Sequence, residues 1–274
     1  MRQIKSWLPP ELIRIGRHIL GYGGYYRGQY NTWEEAAAQA DGYDTDAILK
    51  RVLEATLAVR DGKAAFERDG VLFAKAQDRY PMLASLMHAA AAASPGHLRV
   101  LDVGGALGSA YFQCKPWLQG LAPVQWCVME QPHYAATGKA QLEDGVLCFA
   151  GSAEDAARHG PFDIVIFSSV LQFIQNISEF LRPILALKPA YILIDRTPVI
   201  AGNIDRISIQ KQGIGSRVVH SSYPLRLMTE QSIYSAIGPD YRLFSQFDAL
   251  DEPMGGIGWR ADFRGFLFKR EYNG

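Results

Sequence analysis

The sequence predicts an α/β protein: a mostly parallel, seven-stranded sheet that ends in a C-terminal antiparallel hairpin and carries an N-terminal helical extension. Three observations lead there. From residue 98 on, apolar runs that finish on polar residues alternate with stretches of helical spacing, the pattern of parallel strands covered by helices on both faces. Near the end, two aromatic-rich runs are joined by a link too short for a helical crossover, which makes them an antiparallel pair. Before residue 95 the apolar positions recur at helical spacing.

Residues 1–30 hold Pro9, Pro10 and the stretch GYGGYYRGQY, and read as an arm with little regular structure. Within it, Leu12, Ile13, Ile15, Ile19 and Leu20, with Arg14, Arg17 and His18, predict a short helix packed on the protein, with a membrane surface as the competing partner. Thr32 is placed to cap a helix from Trp33, with Glu35 at capping-box spacing. Asp44 or Thr45 caps a second helix, in which Ile48, Leu49, Val52, Leu53, Thr56 and Leu57 make one face. MLASLMHAAAAA supplies strong helix formers for a third over 81–93. Residues 1–95 are thus expected to be an extension without a sheet of its own, packed on the core or lidding it.

In the core domain, 96–274, LRVLDVGG, VQWCVMEQP, GVLCFAGS, FDIVIFSS and AYILIDRTP read as strands, with helices predicted at 109–118, 133–142, 152–158 and 176–187. Right-handed crossovers place the polar ends of these five strands along one edge. Residues 199–227 form an insertion expected to wall an acceptor pocket, with a solvated loop as the competing reading of its His220 and Tyr223. Thr229 then caps a helix over 228–238, and 241–248 and 263–270 are the paired final strands.

Composition excludes several functions. The 28 basic residues balance 28 acidic ones, so no broad positive field calls for nucleic acid. No apolar run of about 18 residues is present to cross a bilayer. The N-terminus lacks the pattern of a secretory signal. Cys114, Cys127 and Cys148 fit neither a disulfide framework nor a CxxC metal knuckle and read as ordinary thiols in a reducing, cytoplasmic compartment. With no HExxH, and with scattered histidines, no metal is expected. The Ser168-Ser169 pair lacks a G-x-S-x-G elbow, which argues against acyl transfer.

The polar edge carries the chemistry. Asp102 ends the first strand, and Gly104, Gly105 and Gly108 follow in a turn that admits unusual backbone angles and close ligand approach. The next helix presents its unpaired N–H groups there. Glu130 ends the second strand, where a carboxylate can accept from both hydroxyls of a ribose. Two cofactor classes remain at this spacing. A dinucleotide needs G-x-G-x-x-G and a pyrophosphate, which Asp102 would repel. A zwitterion with an ammonium or sulfonium group and no phosphate, such as S-adenosylmethionine, meets no such objection.

LDVGGALG, VQWCVMEQP, GSAED and FDIVIFSSVLQFIQN resemble the successive motifs of class I S-adenosylmethionine-dependent methyltransferases, over about residues 98–270. WEEAAAQADGYD, VRDGKAAFERDGVLF, GSAYFQ, VMEQPHY, SSVLQF and IDRTP are similar to a little-characterised bacterial family assigned as methyltransferases and associated with surface-polysaccharide or other small-molecule pathways. The resemblance implies a Rossmann-like class I methyltransferase fold with S-adenosylmethionine as cofactor. It implies that Asp102, Gly104 and Gly108 hold the methionine end, Glu130 the ribose, and Ser152, Ala153 and Glu154 the adenine side, with Gly105 and Gln131 also in the cofactor site. Ser168, Ser169 and Gln172 then lie beyond the fourth strand. Ala106 stands where the family has its middle glycine, and Gln172 where the small-molecule branch often has histidine.

For chemistry, Tyr111, Phe112, Trp126 and Phe173 are aromatic faces for a cationic donor, or core. His133 is the first candidate base, against a packing role, and Tyr134 lies beside it. Asp195 is a base or orienting group and Arg196 a holder of an anionic acceptor, against a strand-end ion pair. The expected activity is methyl transfer to an oxygen or nitrogen of a small-molecule or sugar-linked acceptor. The competing readings are a nicotinamide-dependent oxidoreductase and a non-catalytic ligand-binding or assembly module; a homodimer is left open.

Overall fold

The computed structural model of the chain describes residues 26–41, 45–93, 96–214, 217–256 and 259–271. The expected surface helix near the N-terminus and the cap at Asp44 lie outside them. The chain enters as β1 (Tyr26–Tyr30), followed by α1 (Trp33–Ala37) and α2 (Thr45–Arg60). Thr32 caps α1 as its sequence position predicts, its Oγ1 accepting from Glu35 N–H at 3.2 Å, while the Glu35 carboxylate turns back to Asn31 N–H at 3.1 Å. A hairpin of β2 (Phe66–Arg68) and β3 (Val71–Phe73) leads into α3 (Tyr80–Ala92).

Two features correct the expectation of a sheetless extension. The β2–β3 hairpin turns on Asp69 and Gly70, whose φ values of 53° and 73° are those of a two-residue turn matching strand twist. Each of its strands has three residues, too few for an alternating pattern to stand out in sequence. The Gly/Tyr-rich arm contributes β1, which pairs antiparallel with a strand some 180 residues away. Backbone pairing places it, joined by Arg206 donating to Gln29 Oε1 at 2.6 Å and by Tyr26 edge-on to Trp259 at 6.2 Å.

The core follows the predicted alternation: β4 (Leu98–Val103), α4 (Ser109–Leu118), β5 (Val124–Met129), α5 (Pro132–Gln141), β6 (Leu147–Ala150), α6 (Ala153–Ala157), β7 (Ile164–Ser168), a 3-10 turn (Leu171–Phe173), α7 (Ile177–Leu185) and β8 (Tyr191–Ile200). After β9 (Arg206–Ile214) and β10 (Arg217–Leu227) come α8 (Glu230–Ile237), β11 (Tyr241–Asp248), β12 (Met254–Gly256) and β13 (Trp259–Arg270). The sheet order is β11-β13-β8-β7-β4-β5-β6, with β12 paired to β13. Strands β6, β5, β4, β7 and β8 are parallel, and β13 runs antiparallel to both β8 and β11. That order, with one reversed strand next to the edge, is the class I methyltransferase fold, an α/β Rossmann-like architecture.

Period-two alternation sorts each strand's residues onto two faces. Leu98, Val100, Trp126, Val128, Leu147, Phe149, Ile164, Ile166, Tyr191 and Leu193 pack under α4 and α5, and the extension's Val52, Met82, Leu83 and Leu86 join that same core. Leu101, Val103, Cys127, Cys148, Val165 and Ile192 face the other way, against α6, α7 and α8. Residues 199–227 include a β9–β10 hairpin that forms a three-stranded sheet with β1. It is tied to β8 by Ile200 N–H to the Met228 carbonyl at 2.9 Å. No helix among the described residues is long and apolar enough to cross a membrane.

Candidate active site

Alternation along β4 puts Asp102 on the same face as Leu98 and Val100, and it is only 1% exposed. Trp126 Nε1 donates to its Oδ2 at 3.2 Å, and burial pushes the carboxyl up to about 7. The turn after it is shaped around that carboxylate. A Cβ at Gly105 would stand 2.5 Å from Asp102 Oδ2, so only glycine fits. Gly104, at φ +69°, would drive a Cβ to 2.6 Å from Val170 Cγ2, which brings the loop after β7 down onto the turn. Gly108, at φ +90°, is the N-cap of α4. Ala106 takes φ +52°, left-handed geometry for an L side chain, which costs roughly 1–2 kcal/mol.

Strand pairing of β4 with β5 brings Glu130 beside this turn. Its Oε1 accepts from Ala106 N–H at 3.2 Å and its Oε2 from Gln131 N–H at 2.8 Å, while burial raises its pKa. Gln131 is exposed at the head of α5. His133, half-buried one turn on, sits edge-on to Tyr134 at 5.0 Å and close enough to Glu130 to favour its ionised form. Its Nε2 is buried with no hydrogen-bond partner among the described residues. Gly151 packs by Pro132, so the loop after β6 lies beside the start of α5. There Ser152 Oγ caps α6, accepting from Asp155 N–H at 3.1 Å, and Ala153 is buried.

At the end of β7, Ser169 holds φ +61° and accepts from Gln172 Nε2 at 2.8 Å. Gln172 is 2% exposed, and its Oε1 has no partner among the described residues. The two partnerless polar atoms and the side-chain-free cradle at Gly105 fit a compact polar ligand lying along this edge.

Asp195 and Arg196 are held otherwise than as free catalytic groups. Asp195 is buried and ion-paired with Arg79, which also donates to Ser168 Oγ at 2.6 Å. Arg196, at φ +54°, makes a two-pronged pair with Asp251, at 2.8 and 3.0 Å. Each thus has an ionic partner from elsewhere in the chain. Trp126 and Tyr111 are buried in the core, and Tyr223 meets Phe173 edge-on at 5.2 Å; the side chain of His220 lies outside the described residues.

Two residues escaped sequence reasoning. Arg79 precedes α3 in AQDRYP, where nothing in the local pattern marks it. Glu67, 5% exposed on β2, accepts from Gly70 N–H at 3.0 Å and from the Ser109 hydroxyl at the head of α4, and burial pushes it up to about 7. The extension therefore lays one acid and one cation against the edge that carries the glycine turn. A groove of about 660 Å³ lies apart from these residues, between α1, the start of α7 and the β9–β10 sheet, with Trp33, Asn176, Arg226 and Met228 in its lining.

No protein-family model matches the chain, and no curated protein matches it. Several solved structures are similar at low identity. An amino pentose methyltransferase from Micromonospora echinaspora, involved in calicheamicin biosynthesis and solved with SAM bound, is 15% identical, with 71% of this chain and 92% of that chain covered and a TM-score of 0.45. The N-terminal domain of EvdMO1, solved in the presence of SAH and D-fucose, is 16% identical over 84% of this chain and 98% of that one, at 0.47. A S-adenosylmethionine-dependent methyltransferase from Clostridium acetobutylicum is 8% identical over 72% and 93%, at 0.44.

Proposed function

We propose that the protein transfers a methyl group from S-adenosylmethionine to an oxygen or nitrogen of a small-molecule or sugar-linked acceptor. One observation carries the reading: two carboxylates, Asp102 and Glu130, end adjacent strands around a turn in which Gly105 leaves no room for a side chain against Asp102. Such a pair suits a cationic amino-acid group and a ribose diol and disfavours a pyrophosphate. When bound, the cofactor supplies an already activated methyl group, so the protein's work is alignment and proton removal.

In this reading Asp102 and Gln172 hold the amino-acid end, with Gly104, Ala106 and Gly108 forming its cradle. Glu130 holds the ribose, with Gln131 alongside, and Ser152 and Ala153 flank the adenine. Ser168 and Ser169 shape the floor, and Arg79 anchors Ser168 and Asp195 from the extension. His133 is the group that takes the acceptor's proton, through its partnerless Nε2. Residues 199–227, whose Tyr223 meets Phe173 just beyond β7, form the acceptor-side wall.

Equilibrium binding of S-adenosylmethionine and its demethylated product to the full chain tests the reading: binding is expected, and none at millimolar concentration overturns it, as does tighter binding of NADH. Glu130→Ala is expected to weaken cofactor binding by about 1–3 kcal/mol, the worth of a charged hydrogen bond. Methyl-label transfer to metabolite fractions identifies the acceptor. With that acceptor, His133→Ala at saturating cofactor is expected to lower the rate about 10²-fold or more; an unchanged rate removes His133 as the base.

A further inference from the structure

On the opposite face of the sheet from Asp102, Cys127 and Cys148 are direct partners in the parallel register of β5 and β6. Both are buried in the core beneath α6, at 0% and 8% exposure. His159 follows α6, held by its N–H to the Ala156 carbonyl at 2.9 Å, and is half-buried. The two sulfurs and an imidazole nitrogen all lie within 4.8 Å of one another. Neighbouring ligand atoms around tetrahedral zinc stand roughly 3.3–3.8 Å apart, given Zn–S near 2.3 Å and Zn–N near 2.0–2.1 Å. Two thiols and an imidazole form a donor set that favours a thiophilic metal over calcium or magnesium.

We propose that Cys127, Cys148 and His159 form a zinc-binding site, with solvent in the fourth tetrahedral position. The two thiols lose their protons to the medium as they bind. The site fastens the edge strand β6 and the segment after α6 to β5, and so steadies the loops that bear Glu130 and Ser152. It needs nothing from the proposed methyl transfer. Cys114 is the internal comparison: it lies on the other face, with its Sγ 3.9 Å from Met82 Sδ. The linear spacing hides the site because a parallel crossover, not a short CxxC loop, brings the two thiols together.

Cobalt(II) titration of the reduced full chain tests this. The expected result is one equivalent of cobalt bound with release of about two protons, near-ultraviolet sulfur-to-cobalt charge transfer and tetrahedral visible bands, and displacement of the cobalt by zinc with no further proton release. Cys114→Ser leaves the spectrum unchanged. His159→Ala, at a half-exposed position where the fold is retained by circular dichroism, weakens cobalt binding at least tenfold. Cys127→Ala/Cys148→Ala abolishes the charge-transfer band. Absence of that band in the reduced protein overturns the proposal, as does its persistence in the double variant or an unchanged affinity in His159→Ala.

Discussion

Asp102 shows how one residue's setting decides its chemistry. Its ordinary carboxyl range is near 3.8, and burial lifts it to about 7, with Trp126 and Arg79 opposing the shift. A folded-state pKa above the unfolded one means the native protein holds a proton that the unfolded chain releases. Asp102, and Glu67 in the same way, therefore lower stability as pH rises from about 4 to about 7. Denaturant unfolding of the ligand-free protein at pH 5 and 8 is expected to show this loss, and Asp102→Asn to flatten it. Because a cationic ligand favours the ionised acid, cofactor affinity is expected to climb over the same window in the parent and not in Asp102→Asn. Asp102, Gly104, Gly105, Gly108 and Glu130 were legible in sequence, since strand ends and glycine turns are local patterns. The strain at Ala106 was legible only as a departure from a motif; its φ is a property of the folded turn.

At the scale of elements, α3 matters for what its first residue reaches. Arg79 is the residue before its first turn, and it spans to the ends of β7 and β8 to pair with Asp195 and Ser168. Removing one partner of a buried pair leaves a desolvated charge, so Arg79→Ala is expected to destabilise the protein by about 3–5 kcal/mol. The double variant Arg79→Ala/Asp195→Ala is expected to recover part of that loss, measured as a coupling energy by denaturant unfolding. Additive losses remove the pair from the site's support. The helices themselves were readable from caps and spacing: α1 and α8 start where Thr32 and Thr229 predict. The β2–β3 hairpin was not, although its Asp-Gly turn was in view, because three-residue strands carry almost no periodic pattern.

For the whole molecule, the extension belongs to the same core as the sheet. Met82, Leu83 and Leu86 on α3 and Val52 on α2 share one apolar cluster with Leu98, Val100, Tyr191 and Leu193. A chain beginning at residue 96 uncovers that face and is expected to aggregate or to melt less cooperatively than the full chain, as thermal denaturation of the two reports. A soluble, cooperatively folding truncation would show that the extension is an accessory lid. At the single-residue level the same packing makes Leu86→Ala cost roughly 2–5 kcal/mol.

The sequence by itself determined the strand and helix order of the core from residue 98 through β8 and of the C-terminal helix and hairpin, the polar edge, the glycine turn and the two carboxylates beside it. Each is written in neighbouring residues through period-two or helical spacing, turn chemistry and caps. Only the tertiary structure decided that Arg79 meets Asp195, that Glu67 meets Ser109, that β1 pairs with β9 and that Cys127, Cys148 and His159 converge. Those partners are distant in the chain, and their meeting is set by strand register and by which face of the sheet each side chain takes.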